Sequence, residues 1–103
     1  MGEDAGIVTL SNSGAVVIPV EVREVLGIKN QEALIRLPEV EVAEKTKGHT
    51  PNRTESAGVV RISEDGVAVI PVEVRDLLGV DNTKAYLRLR DISVAKKLDE
   101  GDV

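Results

Sequence analysis

Residues 5–45 and 57–97 are one sequence written twice. A shift of 52 positions places Gly6 on Gly58, Gly14 on Gly66, Pro19 on Pro71 and Gly27 on Gly79, with no gap and 21 of 41 positions identical. An internal repeat marks one supersecondary unit per copy, and two copies are too few for a solenoid, which needs about three or more. Each copy is near the size below which a chain folds only with a disulfide, a metal or a partner. The chain has no cysteine and a single histidine, His49, so neither a disulfide nor a zinc site can be that staple. The two copies are therefore expected to close one core around a pseudo-two-fold axis, each stapling the other.

The apolar residues are almost all Val, Ile, Leu and Ala, and Tyr86 is the one aromatic. This favours strands with little bulk per side chain. No apolar run reaches the 18 residues or so of a membrane span, and Met1-Gly2-Glu3-Asp4 is acidic where a signal peptide is basic. The expected protein is soluble and cytoplasmic. Net charge is −5, with −4 on residues 1–45, +1 on 46–56 and −2 on 57–103. An acidic balance disfavours non-specific attraction to nucleic acid.

Each copy reads as strand, strand, short helix, strand, strand. Strands are expected at Ile7 to Ser11 and Val59 to Ser63, and at Ala15 to Ile18 and Val67 to Ile70. Between them lie the turns Asn12-Ser13-Gly14 and Glu64-Asp65-Gly66. Pro19 and Pro71 suit a first helical position, and Glu21 and Glu73 suit the first turn. Val22, Val25 and Leu26, like Val74, Leu77 and Leu78, have the spacing of one apolar stripe, and Gly27 and Gly79 suit a left-handed C-cap. A second hairpin follows, with Ala33, Ile35 and Leu37, or Ala85, Leu87 and Leu89, facing inward. Residues 46–56 read as a linker, and residues 1–4 and 98–103 as polar tails.

The string Gly-x-Val-Val-Ile-Pro-Val-Glu-Val-Arg-x-x-Leu-Gly-Ile, at Gly14 to Ile28 and slightly varied at Gly66 to Val80, resembles the core of the AbrB/MazE/SpoVT swapped-hairpin family. The resemblance implies a mainly β fold with two short helices. In that family two hairpin–helix–hairpin units interleave into a small β-barrel, normally as a dimer; this chain resembles such a dimer in one polypeptide. It implies a DNA-binding transcription regulator or an antitoxin, presenting its first hairpins to a major groove. By the same resemblance Arg61, Arg23 and Arg75 are the candidate DNA-binding residues, anchoring phosphates. Other positions depart from the family pattern. Thr9 is not basic, Ala15 and Val67 follow the turn glycines, Val20 and Val72 follow the prolines, and Glu24 and Asp76 reverse the charge beside the helix arginines.

These departures motivate an alternative, a protein-interaction or self-association barrel with Val20 and Val72 in the contact. A third form has an asymmetric DNA site on the second copy, whose Arg61, Lys84, Arg90 and Lys96 have no basic counterpart in the first. Each arginine also has a structural reading: Arg23 and Arg75 as carboxylate partners on their helices, and Arg36, Arg88 and Arg90 as solvated charges near Glu39, Glu41 and Asp91. His49 has no second ligand at metal-like spacing, and Ser11 and Ser63 have no base beside them. No enzymatic activity, cofactor, metal or membrane partner is expected.

Overall fold

Alternation of apolar and polar residues with period two becomes strands wherever it occurs, and the turn glycines set where those strands end. The computed structural model describes residues 2–45 and 53–98. Its elements are β1 (Gly6–Leu10), β2 (Ala15–Val17), α1 (Val20–Leu26), β3 (Ala33–Leu37), β4 (Glu39–Lys45), β5 (Thr54–Glu55), β6 (Gly58–Ile62), β7 (Val67–Val69), α2 (Val72–Leu78), β8 (Ala85–Arg90) and β9 (Ser93–Lys97). The fold is mainly β with two helices, in two antiparallel sheets ordered β1-β8-β4-β5 and β2-β7-β6-β3-β9.

Strands that follow one another in sequence mostly do not pair with one another. β1 and β4 both pair with β8, whereas β3 pairs with β6 and β9. The expected second hairpins are therefore not paired hairpins: the short turns after Leu37 and Leu89 send their two strands into different sheets. Nearly every ladder joins one repeat to the other. Within the second repeat only the single pair Ile62↔Ala68 links β6 to β7.

The registers repeat with the sequence. Gly6↔Leu89 and Gly58↔Leu37 are equivalent pairs, as are Glu44↔Tyr86 and Lys96↔Leu34, including the irregularity beside each. Between β2 and β7, Val16 pairs with Ala68, its own counterpart. A pseudo-two-fold axis passes between those two residues.

The core is apolar throughout, with no buried polar side chain among the described residues. Ile18, Ile35 and Leu37 from the first repeat meet Ile70, Leu87 and Leu89 from the second, all fully buried. Neither repeat has a core of its own.

Pro19 and Pro71 sit at the N-cap, with ψ 145 in each, and their carbonyls accept the first helical hydrogen bonds. The stripe is narrower than its spacing suggests. Val22 and Leu26 pack on the core and Val74 and Leu78 are buried, while Val25 and Leu77 are 65% and 49% exposed. Seven-residue helices present two inward positions, one turn apart. Residues 46–52 of the expected linker lie outside the described residues, and its end, Thr54–Glu55, is the strand β5 on β4. The N-terminal tail is tied as well: Glu3 bridges Ile92 just as Glu55 pairs with Val40, 52 positions on. The structural repeat thus begins earlier than the sequence identity. No helix among the described residues is long and apolar enough to cross a membrane.

Because the ladders run between repeats, peptides covering residues 1–45 and 53–103 are each expected to lack cooperative melting as monomers and to regain it on mixing. Circular dichroism melts with sedimentation velocity check this. A monomeric half that melts cooperatively would contradict the shared core.

Candidate nucleic-acid interface

The helix arginines are turned inward, each onto the other repeat. Arg23 Nε donates to Ile18 O at 2.9 Å, and Arg75 Nε donates to Ile70 O at 2.8 Å. The N–H of Ile18 in turn donates to Gly66 O, and that of Ile70 to Gly14 O, both at 2.9 Å. The Arg23 guanidinium lies against Gly66, and that of Arg75 against Gly14. A Cβ on Gly66 would stand 2.5 Å from Arg23 Cζ, and one on Gly14 would stand 2.6 Å from Arg75 Cζ. Both glycines are buried and have φ near +90, a conformation open mainly to glycine. Turn glycine, isoleucine before the proline and helix arginine thus form a closed three-residue lock, made twice across the axis. Arg75 has an added partner in Asp81 at 3.0 Å. In the first repeat that position is Lys29, which pairs with Glu24 at 3.1 Å instead.

Arg61, by contrast, projects from β6. Its side chain is 64% exposed, and it pairs with Glu32 at 2.7 Å. Register places it in a cross-strand row with Leu34 on β3 and Lys96 on β9. The neighbouring row is Val59, Arg36 and Ser93. Three cations and no carboxylate therefore occupy these six outward positions, with Glu32 at the rim. Val67 and Val69 continue this face beyond Arg61, where β6 and β7 splay around a shallow hollow of about 260 Å³ lined by Arg61, Ser63, Val67 and Val69.

The equivalent face on the other sheet has different chemistry. Its rows are Thr9, Tyr86 and Glu44, then Ile7, Arg88 and Glu41. Arg88 and Arg90 share Glu41, at 3.4 and 2.9 Å. A hollow of about 530 Å³ lies there, lined by Ile7, Ala43, Glu44, Tyr86 and Arg88. Arg36 is thus separated from Arg88 and Arg90, so the three do not make one basic strip. Around the axis the exposed surface is apolar: Val17 on β2 and Val69 on β7 are each more than half exposed.

The structure does not bring the three sequence candidates together. Arg61 is on an outward sheet face, while Arg23 and Arg75 are occupied at the crossed locks. Arg36 and Lys96 join Arg61 only through strand pairing between repeats, which local spacing cannot reveal. The available signal was the change from Thr9 to Arg61 and from Glu44 to Lys96 between the copies. Lys45 and Lys97 carry a further role, since their ammonium groups lie over the C-caps of α2 and α1: a Cβ on Gly79 or Gly27 would be 3.4 Å from Lys45 Nζ or Lys97 Nζ. Positive charge there complements the helix dipole. No group of acidic, histidine or cysteine side chains among the described residues has the arrangement to hold a metal ion.

Residues 7–34 match the family described as antidote-toxin recognition MazE, bacterial antitoxin. The match runs from β1 through α1 into β3. Among solved structures, the chain is similar to the solution structure of PHS018 from Pyrococcus horikoshii, with a TM-score of 0.55 and 20% identity over 89% of this chain and 96% of that one. No curated protein matches the chain.

The locks generate a direct prediction. Gly6 also has positive φ, at 69, but nothing lies within 4 Å of its added Cβ. Gly14→Ala strains a backbone at φ 91, further from the left-handed well than Gly6, and must also displace the Arg75 guanidinium from Ile70 O, a charged hydrogen bond of roughly 1.5–3 kcal/mol. Gly14→Ala should therefore lower stability by about 2 kcal/mol more than Gly6→Ala, measured by urea denaturation. Equal losses would show that the lock contributes nothing.

Proposed function

We propose that this chain is a DNA-binding regulator or antitoxin of the MazE and AbrB type. Its repeats interleave as a one-chain swapped-hairpin barrel that holds duplex DNA on one side. The observation that carries this reading is the run of outward cations Arg61, Arg36 and Lys96 on β6, β3 and β9, in a chain of net charge −5. A basic patch confined to one face is the electrostatic footprint of a phosphate-binding surface. The match of residues 7–34 to an antitoxin family supports the same class, and the likeness to PHS018 supports the architecture.

The spacing suits a duplex. Arg61 and Lys96 flank Leu34 across two strand intervals, about 10 Å, and the major groove is about 12 Å wide. The two cations reach the bordering backbones while Leu34, between them on β3, faces the base edges and Val59 lies beside Arg61 on β6. Single strands are bound chiefly by aromatic stacking, and Tyr86 lies on the other sheet. In this reading Arg23 and Arg75 are braces, and the DNA grip is asymmetric.

Fluorescence anisotropy with a labelled random duplex tests it. Three phosphate contacts give a slope of log affinity on log salt of about −3. Arg61→Ala should remove about one unit of that slope with every sequence. Glu32→Gln should tighten binding, because it frees the Arg61 guanidinium. No binding at low salt would refute the proposal.

A second reading, a protein-interaction barrel, is favoured by the exposed Val17 and Val69 at the axis and by Val20 and Val72, 37% and 44% exposed. It requires oligomers or complexes that survive high salt and are lost in Val20→Lys/Val72→Lys. Sedimentation velocity separates it from the first.

A further inference from the structure

The residues between the cations carry information of their own. Leu34 and Val59 alternate with Arg61, Arg36 and Lys96 on the paired rows, and Val67 and Val69 extend the same face. Val59 and Val69 are each slightly more than half exposed. None of these outward positions is Asn, Gln, Asp or Glu, the residue types that read adenine or cytosine edges. Ser93 is the uncharged polar residue in the two rows, and serine bonds to either base type. The major groove presents one apolar group, the C5-methyl of thymine.

We infer that this face reads thymine methyl groups, and that its preferred ligand is T-rich duplex DNA contacted by Leu34 between phosphate-bound Arg61 and Lys96, with Val59 beside Arg61 on β6 as a second apolar contact. This rests on the DNA-binding function proposed above and adds a sequence preference to it. Burying an exposed valine or leucine against a methyl removes apolar surface from both partners. Amide readout is ruled out by the side chains present. Guanine contact by an arginine is the competing option, since Arg36 stands beside Leu34 on β3, but its guanidinium already donates to the Val94 carbonyl.

The test replaces thymine by uracil in an otherwise unchanged T-rich duplex, which removes only the methyls. Affinity of the full chain should fall about fourfold per contacted thymine, the value of one buried methylene-sized group, with the salt slope unchanged. Replacing cytosine by 5-methylcytosine in a G·C duplex should raise affinity by a similar factor. In Val59→Ala, an exposed and structurally mild change, the thymine-to-uracil ratio should shrink. Equal affinity for both duplexes, or a ratio untouched in both Val59→Ala and Leu34→Ala, would overturn the inference while leaving salt-dependent DNA binding in place. Absence of binding to any duplex at low salt would instead overturn the DNA-binding function itself.

Discussion

An arginine seated on a glycine of the opposite repeat holds the two halves of this protein in one register. The guanidinium needs three things at once: a carbonyl at Ile18 or Ile70 to receive Nε, a turn glycine with no side chain beneath it, and a helix begun by proline at a fixed distance. Glycine at 14 and 66 is required twice over, by a φ near +90 and by the guanidinium packed against it. Because each lock spans the axis, it ties the turn of one repeat to the helix start of the other. β2 and β7 are then placed side by side, with Val16 opposite Ala68. The longer ladders β1–β8, β3–β6, β3–β9 and β4–β8 likewise join the two repeats.

A repeated backbone with non-identical side chains yields two faces of one shape and different chemistry. Thr9 becomes Arg61, Glu44 becomes Lys96 and Tyr86 answers to Leu34, all at equivalent rows of the two sheets. One face balances Arg88 and Arg90 against Glu41. The other carries three cations among apolar residues, with Glu32 at its rim paired to Arg61. A symmetric dimer of one repeat could not make that distinction, because both faces would change together. The net charge of −5 conceals a local excess of the opposite sign.

The fold was largely legible in the sequence. Alternation gave the inward set Ala33, Ile35, Leu37 and its counterpart Ala85, Leu87, Leu89, and Gly27 and Gly79 took the left-handed C-cap conformation expected of them. Strand partners were not legible from local pattern, because alternation fixes which face is buried and not which strand lies alongside. The apolar stripe was overread at Val25 and Leu77, since a helix of two turns buries fewer positions than its spacing allows. Arg23 and Arg75 were seen as recurrent, but their acceptors, backbone carbonyls five residues back, leave no mark in composition. Arg61 was put forward from the family resemblance, and Lys96 from its lack of a basic counterpart in the first copy. Their alignment on either side of Leu34 is a property of the exchanged pairing alone.

In the proposed function, duplex DNA meets one of two pseudo-equivalent faces. The most direct test is ¹H–¹⁵N chemical-shift mapping of the full chain titrated with a T-rich duplex. Shifts concentrated at Leu34, Arg36, Val59, Arg61 and Lys96, with Ile7, Arg88 and Glu41 unmoved, are the predicted result. Equal shifts on both faces, or shifts confined to the face with Tyr86, would contradict it.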